Sequence, residues 1–154
     1  MKIVSSGGLG QLTDGRTGDT DFRLTDPDLR ISGYDWIGWR NTSAFDARPL
    51  QIVFKFDDVR NFSAMRVFMN NDFTRQVRVF RKIEVTFSIG GEIFDQSETV
   101  EMTHTSDSLA QYARFVPVAL KHGIGRFVRV QMYFDAEWIM IGEVEFESGK
   151  SYVL

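Results

Sequence analysis

Residues 49–58 read PLQIVFKFDD, with large apolar side chains at every second position. Leu50, Ile52, Phe54 and Phe56 therefore share one face of a predicted strand. The same period occurs in RKIEVTFS (81–88), RFVRVQMYFD (126–135) and EWIMIGEVEFES (137–148). Gly, Asn and Asp residues separate these stretches. Short alternating strands divided by turn residues predict an all-β protein, an antiparallel sandwich or barrel.

The other three stretches also have predicted core faces. Their members are Ile83, Val85 and Phe87, then Val128, Val130, Met132 and Phe134, and last Trp138, Met140, Val144 and Phe146. In the last stretch Glu143, Glu145 and Glu147 are predicted to lie on the opposite face. The 14 Phe and three Trp residues can fill the space between two sheets. The polar stretch from Glu98 to Gln111 is predicted to be an exposed loop.

The composition is that of a single globular domain of 154 residues, 43% hydrophobic and 25% charged. A net charge of −3 argues against a nucleic-acid partner, since phosphate binding needs clustered cations. No apolar run reaches membrane-spanning length, and no apolar stretch follows the opening MKIV. We therefore expect no membrane insertion, no transmembrane segment and no signal peptide in this sequence.

The sequence offers no positive case for an enzyme. It has no cysteine, which excludes disulfides and thiolate chemistry, and only two histidines. His104, Ser106 and Asp107 are residue types found in catalytic triads, but they are neighbours in one polar segment, and a triad needs spatial geometry. His122 is predicted to lie in a surface turn. No phosphate loop, zinc-protease motif or nucleophile elbow is present.

The segment GLGQLTDG (8–15) places the oxygen donors Gln11 and Asp14 among three glycines. Calcium requires six to eight oxygen ligands, and glycines let a loop bend so that backbone carbonyls can contribute. Thr-Asp-Gly is also a common turn. A metal-binding loop and a plain turn both remain open from these residues alone.

The segment GYDWIGW (33–39) is rich in aromatic residues. Tyr34, Trp36 and Trp39 could form a ligand platform, but large aromatics usually pack in cores, and core packing is favoured for both tryptophans. Two N-x-[ST] sequons make Asn41 and Asn61 candidate glycosylation sites. Asn41 follows the aromatic segment and is predicted to be more exposed than Asn61.

Several segments together resemble one known family. They are GLGQLTDG, SGYDWIGWRN (32–41), FKFDDVRNFSAMRVFMNN (54–71), ARFVPV (113–118) and FDAEWIMIGEVEF (134–146). In this order they are similar to the second, discoidin-like domain of the discoidin domain receptors, collagen-binding receptor tyrosine kinases of animals. The resemblance implies a discoidin-type jelly-roll β-sandwich over residues 8–148. Residues 1–7 would form an N-terminal head of the kind that is added for expression, and residues 149–154 a C-terminal tail.

The resemblance also implies a structural calcium ion. Its ligands would be the side chains of Gln11, Asp14 and Glu143 and the backbone carbonyls of Tyr34, Trp36 and Gly142. The family has a Ser-Glu pair where Gly142-Glu143 stands, so a serine hydroxyl is lost here. A further family ligand, an upstream asparagine, precedes the first residue of this sequence. The site is therefore expected to be weaker or wetter than that of the family.

The family's disulfide falls at Val85 and Val130, and a third family cysteine falls at Met69. Both valines belong to predicted apolar faces, so they are expected to touch across the core. Replacement of all three cysteines indicates either redesign for expression without oxidation or a divergent natural relative.

The implied role is that of a non-enzymatic extracellular module in a plasma-membrane receptor, since no kinase domain is present. Its partner would be the neighbouring collagen-binding discoidin domain, with collagen contacted only indirectly. Asn41 matches a glycosylation position of the family. The alternative is a binding module that recognises carbohydrate, protein or lipid through the end loops Asn70–Arg75 and Thr103–Ser108, where Phe73 and Arg75 would contribute.

Overall fold

A computed structural model describes residues 2–3, 9–22, 25–26, 31–32, 35–42 and 48–151. Their strands are β1 (Lys2–Ile3), β2 (Thr25–Asp26), β3 (Ile31–Ser32), β4 (Ile37–Arg40), β5 (Leu50–Met69), β6 (Lys82–Ser88), β7 (Val100–Thr103), β8 (Arg114–Tyr133) and β9 (Trp138–Lys150). Short 3₁₀ helices cover Gly10–Thr13, Phe73–Arg75 and Gln96–Glu98. The all-β prediction is confirmed. No helix in these ranges is long and apolar enough to span a bilayer.

The main sheet has the order β4-β9-β5-β8-β6-β7, with β1 beside β5, and its strands pair antiparallel. A separate ribbon pairs β2 with β3. The strands β5 and β8 have 20 residues each. Their pairing shifts register between Lys55 and Arg60 and between Phe62 and Ala64. Such irregularities bend strands, which lets the sheet fold onto itself as the predicted sandwich.

The predicted core face of the first stretch is buried throughout. Leu50, Ile52, Phe54 and Phe56 are each at most 9% exposed. Phe54 and Phe56 both make edge-to-face contacts with Phe146, with centroids 5.0 and 5.3 Å apart. Such ring pairs stabilise the core beyond the area that they bury. The faces predicted for residues 83–87 and 128–132 are buried as well, while Phe134 is half-buried after the end of β8.

The face predicted for the first half of β9 is wrong. Ile139 and Ile141 are fully buried, whereas Trp138 and Met140 are half-buried. The cause is a β-bulge at Gly142: Phe68 of β5 pairs with Glu143, but the next residue, Met69, pairs with Ile141. An extra residue in one strand reverses which side chains face inward.

Glu143 lies on the face opposite Val144, as predicted, and yet it is buried. It pairs with Phe68, on the side of β5 away from Val67, and is only 2% exposed. Val144 is buried and Phe146 half-buried, so the predicted face is restored after the bulge. The N-terminal turn and the start of β4 cover this face, so a carboxylate is buried near the middle of β9.

The predicted loop from Glu98 to Gln111 is wrong in its first part. Residues Val100–Thr103 form β7, which pairs with β6, and Val100 is buried against the core. The remainder, up to Gln111, is irregular. A strand of four residues is too short to produce a recognisable alternation in a polar segment.

Val85 and Val130 are direct partners on the adjacent strands β6 and β8. They are 0% and 1% exposed. The two positions that the family resemblance linked therefore lie side by side in one sheet. Met69, the third such position, is also fully buried, at the end of β5.

Candidate cation site

The N-terminal glycine-rich segment is anchored by its leucines. Leu9 and Leu12 belong to the core cluster, and the Leu12 amide donates to the Leu9 carbonyl at 3.0 Å within the 3₁₀ turn. Gln11, inside this turn, is half-buried, and Asp14, which follows it, is exposed. Gly15 has φ of +81°, a left-handed conformation that favours glycine. This glycine turns the chain so that its amide faces β9.

Glu143 on β9 meets that turn. Its Oε2 accepts a hydrogen bond from the Gly15 amide at 3.1 Å. Burial, together with the neighbouring Asp14 carboxylate, raises the pKa of Glu143 from 4.5 to about 7. Two acids from opposite ends of the chain therefore face each other at the edge of the core. Such a pair must hold a proton or a cation to relieve the repulsion of two negative charges.

The start of β4 forms the third side of the site. A Cβ at Gly142 would lie 3.1 Å from the Asp35 carbonyl oxygen and 3.4 Å from the Trp36 ring. Glycine at the bulge thus lets the 35–36 backbone approach β9. The Asp35 carbonyl was missed by the sequence analysis, which named the carbonyls on either side. Tyr34 lies outside the described residues.

Trp36 is a packing residue in this structure. It is 7% exposed and stacks on Phe68 with ring centroids 5.4 Å apart. Its indole Nε1 donates to the Asp19 carbonyl at 2.9 Å. Core packing was the favoured interpretation for this tryptophan, and the burial agrees with it. Trp39 is half-buried against the core.

Arg16 connects the loop to β4. Its backbone amide donates to Asp14 Oδ1 at 2.9 Å. Its guanidinium binds the Asp35 carboxylate through Nε at 2.9 Å and through the terminal nitrogen at 3.4 Å. The residues on both sides of the candidate site are thus joined by one side chain.

The assembled oxygens suit a hard cation. The carboxylates of Asp14 and Glu143 are in contact, the Asp35 carbonyl lies nearby, and the Gln11 amide is on the same turn. Calcium binds such carboxylate and carbonyl oxygens, whereas zinc prefers nitrogen and sulfur. In the described part of the chain no group of three or more His, Asp or Glu could hold a metal by itself. Backbone carbonyls and water would have to supply the remaining ligands.

The two sequon asparagines have different surroundings. Asn41 is exposed just after β4, and its backbone amide donates to the Glu137 carbonyl at 2.7 Å. Asn61 is half-buried within β5, between β8 and β9, and its Oδ1 lies 3.2 Å from His122 Nδ1. Asn41 is therefore the more accessible of the two candidate glycosylation positions.

The triad-type residues of the polar segment have separate partners. Ser106 donates a hydrogen bond to Asp135, and Asp107 pairs with Arg114 at 2.6 Å. The Arg114 guanidinium lowers the pKa of Asp107 to about 2. His104 packs edge-on against Phe80, and burial lowers its pKa. This arrangement is not that of a catalytic triad.

The two predicted end loops pack against each other. The Asn71 side chain donates to the carbonyls of Asp107 and Ala110 at 2.9 and 3.0 Å. Phe73 is half-buried, with the Arg78 guanidinium 5.4 Å from its ring centroid. The exposed large apolar side chains at this end are instead Leu109, 97% exposed, and Tyr112, 48% exposed.

Comparison with solved structures shows the fold. The C-terminal domain of a chitobiase from Bacteroides fragilis has a TM-score of 0.58 at 10% identity, covering 92% of this chain and 80% of that one. A GH31 CBM32-2 structure, bound to GalNAc, has a TM-score of 0.51 at 17% identity, covering 94% and 89%. The structure is thus a discoidin-like β-sandwich.

Sequence comparison identifies the family. The epithelial discoidin domain-containing receptor 1 of Rattus norvegicus is 35% identical over 143 residues, which is 92% of this chain and 16% of the receptor. The chain therefore spans about a sixth of the length of that relative. The family described as "Discoidin domain-containing receptor 1/2, DS-like domain" matches residues 2–148. The chain belongs to this family of discoidin-like receptor domains.

Proposed function

We propose that this chain is a non-enzymatic extracellular module of a collagen-receptor tyrosine kinase, and that a structural calcium ion stabilises it. The side chains of Gln11, Asp14 and Glu143 would hold the ion, with backbone carbonyls from residues 34–36 and Gly142. When bound, the ion would supply positive charge that links the N-terminal loop, β4 and β9.

One observation carries the calcium proposal: Asp14 and the buried Glu143 face each other, and the pKa of Glu143 is raised to about 7. Bringing two carboxylates together at the core edge is unfavourable without a counter-charge. A ligand that binds only the native state raises the free energy of unfolding. The bound ion would link the loop to β9 in the folded protein and so stabilise it relative to the unfolded chain.

Thermal melting with millimolar calcium and with excess EGTA tests this proposal. We expect calcium to raise the melting temperature, by several degrees if the ion is near saturation. Asp14→Ala should melt at the same temperature in both buffers. Asp57→Ala, which removes an exposed acid elsewhere on β5, is the matched control and should retain the calcium shift.

A wild-type melting temperature that is the same in calcium and EGTA would contradict the calcium proposal. An equal shift in Asp14→Ala would also contradict it, since the ion would then bind elsewhere. Magnesium provides a further comparison, because its small octahedral shell suits a flexible, carbonyl-rich loop poorly.

The relatives support the proposed module role. The chain matches the DS-like portion of receptors that are about six times longer. We infer that it lies beside a collagen-binding discoidin domain on the cell surface, contacts collagen only indirectly, and carries a glycan at Asn41. Expression in secreting mammalian cells, followed by glycosidase treatment, should reveal a mass shift that Asn41→Gln abolishes.

A second candidate function is ligand recognition through the loop that contains Leu109 and Tyr112. Its specific support is that these apolar side chains are exposed on a segment fixed by Asn71 and Arg114. The Arg114 guanidinium lies 3.7 Å from the Tyr112 ring centroid, so the ring has a defined position. A glycan array tests for carbohydrate, the ligand class of the GalNAc-bound neighbour. Signals that survive Tyr112→Ala, or no signal, would argue against this function.

A further inference from the structure

The ligands of the proposed calcium site come from two segments that must be held together before an ion can bind. Asp14 follows the 3₁₀ turn, whereas the Asp35 carbonyl belongs to the chain entering β4. Both segments lie outside the sheet, so strand pairing does not fix their separation. Arg16 contacts both segments.

We propose that Arg16 is a positioning residue for the cation site and that its ion pair with Asp35 holds the site in a binding-ready form. This inference rests on the proposed calcium function. The pair is called the Arg16–Asp35 latch below. Through its backbone amide, Arg16 orients the Asp14 carboxylate, and through its guanidinium it holds the residue whose carbonyl lies beside Gly142.

The latch is better shielded from water than an ordinary surface ion pair. The Asp35 side chain is 19% exposed and that of Arg16 is 41% exposed. The Arg40–Glu137 pair, at the other end of β4, is 60% and 41% exposed. Exposed pairs contribute little because water and salt screen them. A forked contact to a mostly buried carboxylate restrains both segments more strongly.

The loop is also attached to Trp36, and this second attachment reinforces the restraint by Arg16. A Cβ at Gly18 would lie 2.3 Å from Trp36 Nε1, so this glycine lets the chain pass directly over the indole. The indole then donates to the Asp19 carbonyl. Arg16 therefore restrains a short segment that is already held at its far end, which lowers the ordering cost of ion binding.

Electrostatics alone predicts the opposite effect of removing Arg16. A guanidinium near the site repels a cation, so Arg16→Gln should strengthen calcium binding if charge were its only contribution. Asp35→Asn, which keeps the backbone carbonyl, should weaken binding on the same basis. If the latch positions the ligands, both substitutions weaken binding. The signs of the two effects therefore separate positioning from charge.

Isothermal titration of calcium into the wild type and five variants tests the latch. We expect Arg16→Gln and Asp35→Asn each to weaken the affinity by about three- to fivefold, and the double variant to be no weaker than either single one. Arg16→Lys, which keeps one charged hydrogen bond, should restore part of the loss. Arg40→Gln carries the same charge change away from the latch and should alter affinity less than about twofold.

Tighter or unchanged calcium binding by Arg16→Gln, with a wild type that binds calcium, would overturn the latch and leave the calcium proposal standing. Additive losses in the double variant would also overturn it. A wild type that shows neither heat nor a thermal shift with calcium would overturn both proposals. Melting in EGTA establishes that each variant is folded before titration.

Discussion

Glu143, near the C-terminal end of the chain, lies against Asp14, near its N-terminal end, and accepts a hydrogen bond from the Gly15 amide at 3.1 Å. The contact exists because Leu9 and Leu12 hold the N-terminal turn against the core, where the turn covers the face of β9 that carries Glu143.

The Glu143 carboxyl should make calcium-free stability depend on pH. Its pKa rises from 4.5 to about 7 on folding, so the native protein binds its proton more tightly than the unfolded chain. The carboxyl then lowers stability progressively as pH rises from about 4.5 through about 7, and contributes nothing below both values. Without calcium, the free energy of unfolding of Glu143→Gln should be higher than that of the wild type by about 1–3 kcal/mol near pH 8, and by much less near pH 5.

Urea unfolding in EGTA at these two pH values measures the difference. Glu145→Gln, on the same strand, is the control and should show a smaller pH-dependent change because Glu145 is half-buried and paired with Arg66. A gain in stability of Glu143→Gln that is the same at both pH values would contradict this prediction.

The paired valines should accept a disulfide. Val85 and Val130 are directly opposite on antiparallel strands, where Cα atoms lie about 4.5–5.5 Å apart, within the range that a disulfide spans. The double variant Val85→Cys/Val130→Cys should oxidise and gain about 2–4 kcal/mol over its reduced form. Thiol counting by mass spectrometry and melting with and without reductant check this, and two free thiols under oxidising conditions would refute it.

Gly18 should not tolerate a side chain. A Cβ there would overlap the Trp36 indole, with its nearest atom 2.3 Å away, and would break the bond from the indole to Asp19. We expect Gly18→Ala to lose about 1–3 kcal/mol of stability and to change the tryptophan fluorescence. Gly10→Ala, with nothing within 4 Å of the added carbon, should leave the fluorescence unchanged. Equal melting temperatures for the two variants would show that the indole is not confined as described.

Lys121 should be replaceable by glycine with a gain in stability. It has φ of +52° in an irregular part of β8, where a side chain is strained and glycine is not. Lys121→Gly is expected to add about 0.5–1 kcal/mol. Lys150→Gly, at the end of β9 where no positive φ occurs, should add nothing. Urea unfolding midpoints distinguish the two variants, and a loss of stability in Lys121→Gly would contradict the strain argument.

The sequence could predict elements whose signal is local. The alternation of Leu50, Ile52, Phe54 and Phe56 requires only that one face of a strand be buried, and that face is buried. Trp36 was correctly favoured as a packing residue because its size makes burial favourable wherever the chain places it. These predictions depend on single residues and their near neighbours.

The sequence could not predict features that depend on pairing between distant strands. Nothing in EWIMIGEVEF marks Gly142 as an extra residue, because the bulge is defined only by the pairing of Phe68 and Met69 with β9. The inward face of the first half of β9 was therefore assigned to Trp138 and Met140 instead of Ile139 and Ile141. β7 was missed for a related reason, since Val100–Thr103 becomes a strand through pairing with β6.

By itself the sequence determined the fold class and the family, and it predicted Gln11, Asp14 and Glu143 as donor side chains, because strand periodicity and motif residues are properties of short segments. Tertiary structure alone decided that Glu143 is buried, that Asp14 lies against it, that the Asp35 carbonyl reaches Gly142 and that Arg16 links the two sides. The physical reason is that these contacts join segments far apart in the chain, and their geometry follows from a one-residue bulge and from loop docking rather than from any local pattern.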